Sequence, residues 1–287
     1  MSNSIQIQKI LEKYNKNPKK SLGQNFLTNQ NTLKKTAETS LNGFSGQNCG
    51  VLEIGPGTGG LTACLCALYK KVVAVELGLD FEPILKETLG GFGNVKTIFG
   101  DILKVNLDEL VASEFAGCER VNVCANLPYY ITTPVVLKLV KSGASFSGLT
   151  LMVQKEAADK LCSAPGGQNY NATAALLGYY GAAKKMFVVP GSDFYPPPKV
   201  QSAVVNIAPH ISPAATPKSE ELMYRVIEAA FGKRRKTLVN ALSSGLNADK
   251  QKISEIVGLI TGNGNIRGED LGIKAFSDIS DLILERI

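Results

Sequence analysis
Histidine and tryptophan are the scarcest residues of this chain: 287 residues contain one histidine, His210, and no tryptophan. A lone imidazole in a proline-rich stretch makes a Ser-His-Asp or Cys-His couple hard to build, which argues against hydrolysis through an activated nucleophile. The six cysteines (Cys49, Cys64, Cys66, Cys118, Cys124 and Cys162) form no CxxC pair. With so little histidine beside them, no metal site is expected. Several sit in apolar runs, where a free thiol behaves as a small hydrophobe, and this points to a reducing compartment without disulfides. Long apolar runs are missing as well. No stretch reaches the length of a membrane span and the start lacks a signal-peptide core, so a soluble, cytoplasmic protein is expected, and a monomer.

What is present is unevenly placed charge. The formal net charge is +6, yet residues 1–40 carry seven lysines against two glutamates, and residues 225–240 carry five basic residues against Glu228. The remainder is therefore slightly acidic. Two basic segments on an otherwise balanced chain predict contact with a polyanion, of which nucleic acid is the commonest.

Ile7, Ile10, Leu11 and Tyr14 recur at helical spacing among lysines and predict a short amphipathic helix at the start. From Val51 onward, short β-branched runs alternate with helical segments: Val51–Ile54, Val72–Glu76, Val95–Phe99, Val121–Cys124 and Leu149–Val153. That alternation is the mark of a parallel α/β sheet covered by helices on both faces. Lys185–Val189 and Ser202–Ile207 look like a hairpin added at the edge. Pro209, Pro213 and Pro217 mark a linker, and beyond it the spacing is entirely helical. The expected organisation is a catalytic domain over 1–208, a linker over 209–218 and a small all-α domain over 219–287.

The first predicted strand runs into Gly55-Pro56-Gly57-Thr58-Gly59-Gly60. Glycine lets the backbone turn tightly there and approach a ligand without a side chain in the way. The same residues satisfy a dinucleotide fingerprint, so on their own they do not separate NAD from S-adenosylmethionine. Glu76 closes the second strand, where a carboxylate can accept both hydroxyls of a ribose, and Asp101 follows the third, where one can accept an adenine amine. Glu53, inside the first strand, is expected near the ligand.

Asn126-Leu127-Pro128-Tyr129 ends the next apolar run. The lone pair of an adenine N6 is delocalised into the ring, so the amine is a poor nucleophile until acceptors hold its protons. The Asn126 side-chain carbonyl and the backbone carbonyl of Leu127 or Pro128 supply such acceptors, and Tyr129 offers a ring for an unstacked base. Proline at 128 stiffens the turn and removes a competing donor. These residues point to a methyltransferase.

Taken together, Lys20–Leu27, Glu53–Gly57, Asn126–Tyr129, Phe194–Val204 and Arg234–Leu238 resemble the KsgA-type ribosomal RNA adenine dimethyltransferases across nearly the whole chain. The resemblance implies a Rossmann-like sheet with a small helical C-terminal domain. It also implies transfer of two methyls from S-adenosylmethionine to N6 of each of two adjacent adenosines in a small-subunit rRNA hairpin, on rRNA or a partly assembled small subunit. By motif, Asn25 and Leu27 close over the cofactor, Gly55 and Gly57 approach its amino-acid end, Glu76 holds the ribose, Asp101 reads the adenine, and Asn126 touches cofactor and base. Phe194 would lie opposite Tyr129 to sandwich the base, and Lys233, Arg234, Arg235 and Lys236, at the start of a helix, would follow the RNA backbone. Three alternatives remain at this stage: a large-subunit rRNA methylase conferring antibiotic resistance, a catalytically idle ribosome assembly factor, and a dehydrogenase on the same fold.

Overall fold
Nine strands form among the described residues, and the seven long ones are where the β-branched residues concentrate. The computed structural model describes residues 3–18, 23–233 and 235–287. The strands are β1 (Phe26–Leu27), β2 (Cys49–Ile54), β3 (Lys71–Glu76), β4 (Val95–Phe99), β5 (Arg120–Asn126), β6 (Phe146–Gln154), β7 (Gly181–Val189), β8 (Phe194–Tyr195) and β9 (Ser202–Pro209). Seven of them make one sheet in the order β4-β3-β2-β5-β6-β9-β7, while β1 and β8 form a separate two-stranded pair. From β4 to β6 every pairing is parallel, and β9 joins β6 antiparallel. The predicted edge hairpin is thus two neighbouring strands at one end of the sheet, with β7 outermost. Every residue of β2 is buried, as a strand covered on both faces requires. The chain order reverses between β2 and β5, which opens a crevice at the carboxyl ends of these strands.

Two compact units divide the chain, Met1–Ala158 with Lys184–Pro209, and Asp159–Ala183 with His210–Ile287. This differs from the division expected at 208. The segment around helix Ala172–Tyr180 precedes the last strands in sequence but packs with the C-terminal helices, where Tyr170 meets the Phe231 ring edge-on at 5.6 Å. Tyr179 donates a 2.6 Å hydrogen bond to Glu220. Nor is 210–218 a free linker: the His210 N–H donates to the Tyr180 carbonyl (3.1 Å) and the Lys218 N–H to Asp281 (2.8 Å).

In the first unit, helix Asn3–Lys13 buries Leu11 with Phe26, Phe81, Ile84, Leu85 and Leu89, and Ile7, Ile10 and Tyr14 pack against the same cluster. The Lys13 ammonium and the Tyr14 hydroxyl both donate to Glu87 (2.6 and 2.5 Å). Near the other end of the sheet, Asn206 on β9 donates to Asn42 (2.6 Å) and to Thr150 on β6 (2.9 Å), so a half-buried polar link joins these two strands.

Candidate active site
The carboxyl ends of β2, β3, β4 and β5 surround a cavity of about 310 Å3, within the range of small-molecule sites, roughly 300–1,000 Å3. Residues 23–27, which include β1, form part of its wall. Each strand ends by delivering one piece of chemistry to it.

After β2 the chain turns through Gly55, Gly57 and Gly59 at φ of 71°, 57° and 86°. These are left-handed conformations that side chains with a Cβ resist. Room is a second constraint, because a Cβ at Gly57 would meet the Phe26 ring at 3.1 Å. Glu76 at the end of β3 accepts the Gly57 N–H (3.2 Å) and the Gly78 N–H (2.8 Å), so its carboxylate braces the glycine turn from the next strand. Burial raises its pKa, and those backbone donors offset part of the shift. Asp101, after β4, accepts the Leu103 N–H at 3.0 Å and lines the same cavity.

Glu53 within β2 is 1% exposed and also lines the cavity. Its Oε2 has no hydrogen-bond partner. Burial pushes its pKa up to about 8; the Thr62 hydroxyl eases the charge without reaching hydrogen-bond geometry, and the Glu76 carboxylate adds to the rise. An unsatisfied acidic oxygen on the wall of a cavity suits a ligand that brings cations and donors. The glycine turn leaves space beside its backbone, since nothing lies within 4 Å of a Cβ built at Gly55. The residues present, two carboxylates at strand ends and a glycine turn with open space beside it, therefore fit an adenosyl ligand with a charged amino-acid tail.

The Asn-Leu-Pro-Tyr segment leaves β5 at the same edge. The Asn126 side-chain N–H donates to the Asn25 carbonyl (3.2 Å), which fixes the orientation of the amide on the cavity wall. The Pro128 carbonyl already accepts the Ile131 N–H (3.2 Å), so of the two backbone acceptors considered, Leu127's is the better placed for a second hydrogen bond. Tyr129 is half-buried and its hydroxyl shares a 2.9 Å hydrogen bond with Ser202 on β9, which pins the ring.

The cavity wall thus gathers Asn25, Leu27, Gly55, Gly57, Glu76, Asp101, Asn126, Leu127, Pro128 and Tyr129, all of them expected from sequence. Phe194 is the exception. It is 4% exposed, packs with Leu27, Leu33, Leu61 and Val204 in the core, and does not line the cavity. Phe194, expected opposite Tyr129, sits opposite Leu27 in the β1/β8 pair, and its side chain packs in the core. Sequence reasoning also missed Tyr130, which is 55% exposed and lines the cavity, and two other exposed apolar residues of the wall, Leu77 and Leu103. Their signal was a large apolar residue within a few positions of a polar site residue just beyond a strand end.

Lys233, Arg235 and Lys236 are exposed in the turn between helices Glu220–Phe231 and Leu238–Leu246, rather than at a helix start, and Lys233 donates to Ser244 (2.6 Å). Arg234, and Lys20–Leu22 of the N-terminal motif, lie outside the described residues. Among the described residues no group of histidine, cysteine and acidic side chains suits a metal ion, and no helix is long and apolar enough to cross a membrane.

A parallel sheet with this glycine turn and carboxylates at successive strand ends is the build of the Rossmann-like, S-adenosylmethionine-dependent methyltransferases. Within that class the chain belongs to the ribosomal RNA adenine dimethylase family, whose description matches residues 15–281. Ribosomal RNA small subunit methyltransferase A of Bacillus pumilus (strain SAFR-032) is 39% identical over 282 residues, covering 97% of this chain and 96% of the relative. Its counterpart in Alkaliphilus metalliredigens (strain QYMF) is 40% identical over 278 residues, 96% of each. Among solved structures, a dimethyladenosine transferase from Plasmodium falciparum superposes with a TM-score of 0.72 at 25% identity, covering 91% of this chain and 96% of that one. The 23S rRNA methyltransferase ErmE shares the fold, with a TM-score of 0.66 at 20% identity over 90% of this chain and 99% of its own.

Proposed function
We propose that this chain transfers methyl groups from S-adenosylmethionine to N6 of two adjacent adenosines in a small-subunit (16S) rRNA hairpin, giving N6,N6-dimethyladenosine during small-subunit biogenesis. Family membership and relatives named for the small subunit support the reaction and its substrate. The observation that carries the chemistry is the Asn126 amide, held by the Asn25 carbonyl on the wall of the cavity that the glycine turn and Tyr129 also line.

S-adenosylmethionine, when bound, supplies an electrophilic methyl group on its sulfonium. Asn25, Leu27, Gly55, Gly57, Glu76, Asp101 and Asn126 hold it in this reading. The Asn126 amide oxygen and the Leu127 carbonyl accept the two N6 protons, which turns the nitrogen lone pair out of conjugation. Both are fixed dipoles aimed at a nitrogen that gains positive charge during transfer, so they favour the transition state over the ground state. No general base is needed, because the methylated ammonium is acidic enough to lose its proton to water or a nearby carbonyl. That removes the difficulty of a chain with one histidine. Tyr129 stacks on the extruded base, returning about 1–3 kcal/mol of the lost stacking. Lys233, Arg234, Arg235 and Lys236 supply phosphate contacts on the second unit.

The test is incubation with labelled S-adenosylmethionine and undermethylated small subunits, with large subunits in parallel, followed by nucleoside analysis. Labelled dimethyladenosine from the small subunit is expected. Label on the large subunit alone would select the other branch of the family, and no label would select an idle assembly factor.

A further inference from the structure
Five hydrogen bonds converge on Asp193 from residues 28–32, far away in sequence. Its backbone carbonyl accepts the Thr28 N–H (2.7 Å), the Thr28 hydroxyl (2.9 Å) and the Asn29 N–H (3.3 Å). Its carboxylate accepts the Asn29 side-chain N–H at Oδ1 (3.1 Å) and the Thr32 hydroxyl at Oδ2 (2.6 Å). Asp193 is buried, 8% exposed, and both carboxylate oxygens bond to this one segment.

That segment leads directly into the site. Leu27 and Phe26 pair with Phe194 and Tyr195, the residues that follow Asp193. One residue earlier, the Asn25 carbonyl holds the Asn126 amide. Asp193 therefore anchors a short run of backbone whose far end aims the group assigned to grip the adenine amine. Helix stability is a separate matter, because Asn29 itself caps helix Gln30–Thr39 through the N–H groups of Asn31 and Thr32. The Asp193 carboxylate is not itself an acceptor of those cap bonds; it supplies two of the five bonds that tie the segments.

We propose that Asp193 is a positioning residue for methyl transfer: by tying Asn29 and Thr32 through its two carboxylate oxygens, beside the bonds its backbone carbonyl makes to Thr28 and Asn29, it sets the Asn25 carbonyl and so the orientation of the Asn126 amide. The inference rests on the proposed function for its catalytic consequence, while its geometric half stands alone. A displaced acceptor lowers turnover without removing a substrate contact, so the loss falls on kcat and leaves KM largely unchanged.

The experiment uses the full chain with Asp193→Ala and, as a milder change, Thr32→Val, with Thr32→Ser as the conservative control. Expected are a roughly tenfold fall in kcat on small subunits for Asp193→Ala, a smaller fall for Thr32→Val, near-normal turnover for Thr32→Ser, and KM for the subunit within about twofold throughout. In the Asn126→Ala background the Asp193→Ala change should cost less than about twofold, because its route of action is gone. Equal costs in both backgrounds, or a lower melting temperature with unchanged kcat, would overturn the proposal. If Asp193→Ala does not fold, the Thr32→Val cycle with Asn126→Ala decides in the same way. Side-chain amide NMR resonances of Asn126 provide a readout independent of activity: they should move in Asp193→Ala or Thr32→Val and stay put in Thr32→Ser. Moved resonances in these variants, together with a wild type that methylates nothing, would count against the function and leave the positioning intact. Unmoved resonances would refute the positioning whatever the activity.

Discussion

Replacing Glu53 by glutamine should change how stability depends on pH, and in a direction opposite to the usual behaviour of a paired carboxylate. Glu53 is 1% exposed with an unpartnered Oε2, and burial lifts its pKa from the ordinary 4.5 to about 8. Between those values the folded protein keeps a proton that the unfolded chain has released. Folding stability therefore falls as pH rises through this window, by about 1.4 kcal/mol per pH unit, and levels off above the folded-state pKa. From about pH 6 to about pH 8 the wild type should lose on the order of 2 to 3 kcal/mol relative to Glu53→Gln, an upper figure because relaxation and water entry soften buried charge. Glu76, whose pKa is also raised by burial, stays in both proteins and cancels to first order in the difference. Urea denaturation of both proteins across that range, read as a difference of free energies, makes the comparison. Parallel curves would refute a neutral Glu53 and with it the reading of its orphan oxygen as a ligand partner.

The same group yields a second expectation: a cationic ligand in this cavity favours ionised Glu53, so calorimetry near neutral pH in buffers of different ionisation enthalpy should detect proton release on S-adenosylmethionine binding, absent in Glu53→Gln. Asn126→Ala should lower kcat roughly a hundredfold, about 3 kcal/mol, while rRNA affinity is retained; near-normal turnover would refute the acceptor role. Gly57→Ala meets both a positive φ and the Phe26 ring, so weaker S-adenosylmethionine binding and a fall in stability of about 1–2 kcal/mol are expected, measured by titration and thermal melting. Replacing Arg235 and Lys236 by alanine should reduce the log-log salt slope of rRNA affinity by about 1.5, and an unchanged slope would exclude this turn as a phosphate contact.

The sheet was legible because its strands are runs of β-branched residues buried on both faces. Val72–Glu76 and Val95–Phe99 were read to within a residue of β3 and β4. The cavity wall was legible because its chemistry sits at strand ends, where glycine, acid and amide side chains interrupt apolar runs. Contacts between distant segments were not legible. Nothing local distinguishes helix Ala172–Tyr180 from a sheet-covering helix; only its packing with Glu220–Phe231 places it in the second unit. Phe194 carries a motif signal that a core residue and a site residue share, and burial alone separates the two. Asp193 reads in sequence as an ordinary turn acid, since the three residues that donate to its oxygens, Thr28, Asn29 and Thr32, lie some 160 residues away. The basic stretch was placed at a helix start, but the helix begins at Leu238, leaving Lys233, Arg235 and Lys236 in the preceding turn.

The amide on β9 has a reach beyond its own neighbours. Thr150 opposes Asn206 and Gln154 opposes Ser202 along the same antiparallel ladder. Sliding that ladder by one position would turn the Asn206 side chain to the wrong face, abandon Thr150 and Asn42, and at the same stroke carry the Ser202 hydroxyl away from Tyr129. The lock at one end of the strand thereby keeps the tyrosine in tune at the other, and a lesion at Asn206 should surface as a loosened aromatic ring rather than as a lost strand.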